Sequence, residues 1–226
     1  MKVIGIETSG AIGSVCVCDN DTIVGRKEFG RRLGHGKEIV SSLNFLFQET
    51  AGTFHDIDLI AVSIGPGSYT GLRVGVTCAK TLAYSLNRPV IGVPTLDVLA
   101  ENVTSDVKTF CPVIDARRKS VYACIYVRND REQKRITDFL LIHPKDLLKI
   151  LPDHILLFGD GIIPYKDIFA QKSLTVSPDG LGVASAVNVA KLGLKRYEQG
   201  ERCEIETLEP LYLRKSEAEE KLETEL

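Results

Sequence analysis

"VIGIETSGAIGSVCVCDNDTIVGRKEF", residues 3–29, decides the fold. Val3–Ile6 is a short apolar run that reads as a buried strand and stops at the polar Glu7-Thr8-Ser9. Residues 13–18 alternate along a second strand. Asp19-Asn20-Asp21 makes a tight turn, and a third strand runs on to Phe29, so the segment reads as a three-strand meander. From Gly36 the period changes. Ile39, Val40, Leu43, Leu46 and Phe47 fall at i, i+1, i+4, i+7 and i+8, the apolar stripe of an amphipathic helix.

Working outward, "DIDLIAVSIG" (56–65) is another buried strand and is followed by a helix. "RPVIGVPTLDVLAENV" (88–103) adds a strand and a further helix, with Pro94 near its start. Then the pattern restarts. "FCPVIDARRKSVYACIYV" (110–127) gives two apolar strands joined by a basic turn, and "ITDFLLI" (136–142) supplies a third. "HPKDLLKIL" is a short helix, "HILLFGDG" a strand, and "LGVASAVNVAKLGLKRYEQG" a longer helix closed by Gly200. A meander feeding a helix and a further strand is the ribonuclease-H-like unit. Two in series predict a duplicated α/β fold of two ribonuclease-H-like lobes, the actin-like and sugar-kinase-like architecture. The expected bounds are 1–105 for the first lobe, with its partner-binding helices, and 106–205 for the second. A largely acidic tail, 206–226, follows, with its end expected as a frayed or helical extension.

The chain has 226 residues, 44% hydrophobic and 26% charged, with a formal net charge of -2. That suits a soluble globular protein and gives no overall basic character of the kind that marks nucleic-acid binders. The chain begins directly on an apolar strand and holds no run of about 20 apolar residues, so the expected location is cytoplasmic, away from membranes. Cys16, Cys18, Cys78, Cys111, Cys124 and Cys203 sit in apolar segments without metal or redox spacing and read as buried thiols.

"SIGPGSYTGLRVGVTCAKTLAY" (63–84) has the outline of a phosphate loop but neither standard motif. Leu72-Arg73 stand where a Walker A loop needs Lys-Ser/Thr, and Thr70 stands where a dinucleotide loop needs its third glycine. Gly71, Gly75, Ala79 and Ala83 instead recur every four residues as a small-residue row, flanked by Leu72, Val76 and Leu82. Glycine within a helix costs about 1 kcal/mol relative to alanine, so close approach of a neighbour is expected there. Two neighbours fit: the chain's own sheet and first helix, or a second subunit.

"IGIETS" (4–9), "SIGPGSYTGLRVG", "VIDARRKSVY" (113–122), "FGDG" (158–161) and "LEPLYLR" (208–214), in this order and spacing, resemble the TsaB (YeaZ) family of tRNA threonylcarbamoyladenosine biosynthesis proteins. The resemblance covers nearly the whole chain. It implies a non-catalytic relative of the TsaD transferase, required for threonylcarbamoyl modification of adenosine 37 in tRNAs that read codons beginning with A. Implied partners are a TsaD-like transferase and a TsaE-like ATPase, a second copy when alone, and tRNA through the complex. Partner binding is expected on the first two helices, at Ile39, Val40, Leu43, Leu46, Phe47, Gly71, Leu72, Gly75, Val76, Ala79, Leu82 and Ala83.

No catalytic or metal residue is expected. TsaD-like proteins hold a metal with His-x-x-x-His, and here Ile39 follows His35 at the second position. Actin-like proteins clasp nucleotide phosphates between two hairpin turns, which makes Glu7, Thr8, Ser9, Asp115, Gly159 and Gly161 candidate nucleotide contacts. No cofactor of its own is expected, ATP or ADP being shared at a partner interface if bound. The runner-up is a free-standing ATP-binding kinase or ATPase of the same fold, disfavoured by the lack of a central catalytic carboxylate. The basic runs 30–37 and 115–120 would touch RNA only through phosphates.

Overall fold

A computed structural model describes residues 1–30, 35–50, 52–104, 106–129, 132–170, 175–177 and 180–214. The meander forms as its alternation predicts: β1 (Lys2–Glu7), β2 (Gly13–Asp19) and β3 (Thr22–Phe29) are antiparallel neighbours. The turn between β2 and β3 holds Asn20 at φ 51, a conformation asparagine tolerates better than most residues. α1 (His35–Glu49) follows. β4 (Leu59–Gly65) adds parallel to β1, α2 (Tyr69–Leu86) crosses over, and β5 (Val90–Pro94) adds parallel to β4. The first sheet is therefore ordered β3-β2-β1-β4-β5.

The second sheet repeats this plan with shorter pieces. β6 (Thr109–Asp115) pairs with β7 (Val121–Ala123) and β8 (Tyr126–Asn129) in one register. The single strand expected over 121–127 is thus interrupted at Cys124-Ile125. These two residues lie opposite Cys111 and Pro112, and proline has no N–H to give to the ladder. The Ile125 N–H instead donates to Thr137 Oγ1. Of the third meander strand expected over 136–142 only the end forms, as β10 (Leu140–Ile142) on β7, while β9 (Glu132–Arg135) precedes that range and pairs with β8. α4 (Pro144–Ile150) and β11 (Leu156–Phe158), parallel to β6, follow. A 3-10 turn (Asp160–Tyr165), α5 (Lys166–Phe169) and β12 (Thr175–Ser177), parallel to β11, complete the copy. The periodicity had left this last crossover unseen.

The helix that follows each sheet lies against the other sheet. α3 (Thr95–Ala100), after β5, puts Leu96, Leu99 and Ala100 into the core of β6 and β11 with Phe110, Tyr126 and Phe158. α6 (Ala186–Glu198), after β12, packs Ala186, Val189, Ala190 and Leu194 against Val3, Leu59, Ala61, Ile91 and Val93 of the first sheet. Glycines allow this approach. A Cβ on Gly5 would lie 2.1 Å from the Ala186 carbonyl oxygen, and one on Gly193 would lie 2.4 Å from Ala61 Cβ. Chain order put α6 in a second lobe of 106–205, but packing returns it to the first. The chain then stays there: Cys203 bridges Val90, Leu208 is buried beside Val90, and the Leu211 N–H donates to Ile64 O at 2.7 Å. The far end, 215–226, lies outside the described residues.

One buried carboxylate ties the halves. Asp97 on α3 accepts hydrogen bonds from Tyr126 Oη (2.8 Å), from Arg135 and from Arg196 Nη2 (3.3 Å). Burial first, and the adjacent Asp97 second, hold the Tyr126 hydroxyl pKa well above its ordinary value. Arg196 also donates to Gly92 O at 2.9 Å, so sheet one, sheet two and α6 meet at this group.

Candidate functional site: the cleft between the sheets and the outer helix face

Two hairpin turns face each other across a cleft of about 650 Å³. From the first half come Ser9, Gly10 and Ala11, with Gly67, Ser68 and Tyr69 at the start of α2. From the second come Asp115, Ala116, Arg117 and Arg118, with Asp160 below them. Ser68 caps α2 by accepting from the Gly71 N–H at 3.2 Å, and its own N–H donates to Ser9 O, so loop and first hairpin are joined.

The candidate nucleotide contacts divide. Ser9 and Asp115 line the cleft. Glu7 and Thr8 are fully buried beneath the first hairpin, where Glu7 accepts from the Ser9 N–H and Thr8 Oγ1 donates to Gly71 O at 2.8 Å. Gly159 and Gly161 are occupied in packing. A Cβ on Gly159 would lie 2.2 Å from Val113 O, and one on Gly161 would lie 2.7 Å from the Ile114 carbonyl carbon. The carboxylates on the cleft wall are therefore Asp115 and Asp160, both from the second half. Lost hydration pushes the Asp160 pKa up, against the pull of the Asp115 N–H that it accepts.

The small-residue row also resolves. A Cβ on Gly75 would lie 2.2 Å from Thr8 Oγ1, so the row faces the chain's own first hairpin, just past β1. Gly71, Leu72, Gly75, Val76, Ala79 and Ala83 are buried, as are Ile39, Leu43, Leu46 and Phe47 of α1, and Leu82 is half-buried against the same core. These residues, expected to touch a partner, instead pack the core of the first half, and Leu82 keeps only part of its surface open. Val40 alone of that set is open to solvent, 60% exposed. The outward row of α2 is Arg73, Thr77, Thr81 and Tyr84, the last 77% exposed.

Sequence reasoning missed the cluster at the cleft mouth. Tyr69 and Tyr212 stack with ring centroids 4.9 Å apart. The Arg73 guanidinium lies 4.2 Å over the Tyr69 ring, donates to Tyr212 Oη at 3.1 Å and also bonds Tyr69 Oη. Arg214 Nη1 reaches across and donates to Ala116 O at 2.7 Å and Arg117 O at 3.4 Å. The "LEPLYLR" run that carries these groups was visible, but its neighbour 139 residues earlier was not.

The fold and the cleft define a two-lobed protein of the actin-like and sugar-kinase-like class. The chain belongs to the family described as TsaD, tRNA N6-adenosine threonylcarbamoyltransferase, which matches residues 32–156. It is 29% identical over 224 residues to the tRNA threonylcarbamoyladenosine biosynthesis protein TsaB of Bacillus subtilis (strain 168), covering 98% of this chain and 97% of that one. It is 25% identical to the TsaB of Escherichia coli (strain K12), with 98% of each chain covered. YeaZ from Pseudomonas aeruginosa superposes with a TM-score of 0.81 at 21% identity, over 94% of this chain and 99% of that one. The ROK hexokinase from Thermus thermophilus shares the fold more distantly, with a TM-score of 0.51 at 9% identity, over 88% of this chain and 100% of that one.

Proposed function

We propose that this chain is a TsaB-type companion subunit in threonylcarbamoyl modification of adenosine 37 in tRNA. It pairs with a TsaD-like transferase, is joined by a TsaE-like ATPase, and does not itself transfer the group. The observation that carries this is similarity to proteins named TsaB along 98% of the chain. Ile39, at the position where a second metal-ligating histidine would follow His35, is buried in the hydrophobic core.

Pairing uses the outer face of α1 and α2, around Val40 and Tyr84, in place of the small-residue row. Exposed apolar side chains of this size on neighbouring helices suit a two-fold contact, with the transferase or, alone, with a second copy. The reading of a free-standing kinase or ATPase has the cleft in its favour. The site fits a magnesium nucleotide poorly, because Glu7 is shut beneath the hairpin and, among the described residues, the first half puts no carboxylate on the cleft wall. Co-elution of the purified chain with a TsaD-like transferase, with and without Val40→Glu/Tyr84→Glu, tests the reading. The wild type is expected in a stoichiometric complex and the variant as two separate peaks. Co-elution of the variant would refute the interface.

A further inference from the structure

We propose that the mouth of the cleft is a docking surface for an unpaired stretch of RNA. Tyr69 and Tyr212 would offer the stacking platform, and the 117–119 turn would hold the phosphates. The inference rests on the reading of a role in tRNA modification and concerns which part of this chain meets the RNA.

The platform is already built. Tyr69 and Tyr212 are each 40% exposed, stacked on one another and fixed by Arg73, which bonds both hydroxyls. Tyr69 is covered by Tyr212 and by the Arg73 guanidinium, 4.2 Å from its ring centre, so a base would stack on the outer face of Tyr212, with Tyr69 and Arg73 holding that ring in place. On the facing rim, Arg117, Arg118 and Lys119 are consecutive, exposed and all in the left-handed region, at φ 59, 48 and 62. This conformation is costly for residues with side chains. It is closed by the Ala116 N–H to Ser120 O and the Ser120 N–H to Arg117 O, and braced by Arg214. Arg117 and Arg118 line the cleft, Arg117 paired with Asp115 Oδ2 at 3.1 Å, and the exposed Lys119 follows them on the same turn, on a chain whose net charge is -2.

A basic rim facing an aromatic platform is the arrangement by which single-stranded nucleic acid is bound: bases on rings, backbone on cations. The openness favours a strand over a free nucleotide, since a small-molecule site buries about 70–90% of its ligand, while the Arg117 side chain is 85% exposed. The stacking faces favour RNA over an acidic peptide, which would use the cations but leave the rings idle.

The test is a fluorescence-anisotropy titration of the full-length chain, paired with its TsaD-like transferase, against a labelled 17-nucleotide RNA hairpin with a seven-nucleotide loop. Duplex RNA without a loop, poly-glutamate and ATP serve as competitors. The hairpin should bind more tightly than the duplex. Arg118→Glu/Lys119→Glu should weaken it more than tenfold and flatten the plot of log affinity against log salt by about 1.4, at about 0.7 per phosphate lost. Tyr69→Ala/Tyr212→Ala should cost roughly 5- to 100-fold, while Tyr69→Phe/Tyr212→Phe should bind within about threefold of wild type. Lys134→Glu/Lys149→Glu, outside the cleft, should change little.

Wild-type binding by both the charge and the ring variants would overturn the proposal. So would displacement of the RNA by poly-glutamate, which would mark an acidic protein as the occupant, or by micromolar ATP, which would mark a nucleotide. Size-exclusion of the same variants with the transferase reads the subunit assignment separately. If the wild type does not pair, that assignment fails, and the same titration on the chain alone decides the RNA proposal.

Discussion

The two hairpins that face each other across the cleft occupy the same place in two copies of one unit, yet they have become opposites. In the first, between β1 and β2, the residues at the cleft are small and neutral, and the one acid, Glu7, is buried below. In the second, between β6 and β7, Asp115 lines the cleft beside two arginines, and the turn is left-handed and exposed. The helices differ in the same sense. α2 is an 18-residue helix seated on its own sheet, whereas its counterpart is a 3-10 turn followed by the four-residue α5. Duplication preserved strand order and the exchange of final helices, because both cores depend on them. It left the cleft surfaces free to diverge. The first half carries the rigid platform and the outer helix face; the second carries the charge.

The largest effect expected from breaking this arrangement is at the joint. Asp97→Ala removes the shared acceptor of Arg135, Arg196 and the Tyr126 hydroxyl, leaving Arg196 with Gly92 O and Glu201. It should cost about 2–3 kcal/mol in urea unfolding, below the figure for a fully buried pair because Arg135 is 39% exposed. Next is the seat of α2. Gly75→Ala sets a methyl against Thr8, and about 1–3 kcal/mol of stability should go. A neutral result would mean that α2 stands further from Thr8 than this contact requires. Smaller still in stability is Val40→Glu/Tyr84→Glu, which should unfold within about 0.5 kcal/mol of wild type yet lose pairing. The smallest effect is chemical. Burial pushes the Cys78 thiol on α2 up to about 11, so it stays protonated below that pH. Iodoacetamide should label it hardly at all at pH 8 and steadily faster as pH approaches 11. Rapid labelling at pH 8 would show that the inner side of α2 is open.

Much of this was legible in the residues. Short apolar runs bounded by polar turns located the first meander, whose β1 and β2 are buried on both faces, and the i, i+4 stripe located α1, which buries one face on the sheet. The small-residue row was also visible, but not its neighbour. Gly75 and Thr8 are 67 positions apart, and only a folded chain shows that the missing Cβ makes room for Thr8 rather than for a partner. The same holds for the exchange of α3 and α6, since an amphipathic helix does not say which sheet it will cover. Pro112 was a local sign that the strand opposite would break, though the register that brings it to Cys124 is long-range. Tyr212 and Arg214 gained their meaning only when the chain end returned along α2 to the second hairpin.

The central claim is that this chain supports modification as a partner, through the outer face of α1 and α2. The most direct test is nucleoside mass spectrometry of tRNA from bacteria depleted of their own TsaB and supplied with this chain. Threonylcarbamoyladenosine should be restored by the wild type and lost with Val40→Glu/Tyr84→Glu, the variant being folded and present at wild-type levels. Full restoration by that variant, or none by the wild type in a complex it has been shown to form, would contradict that claim.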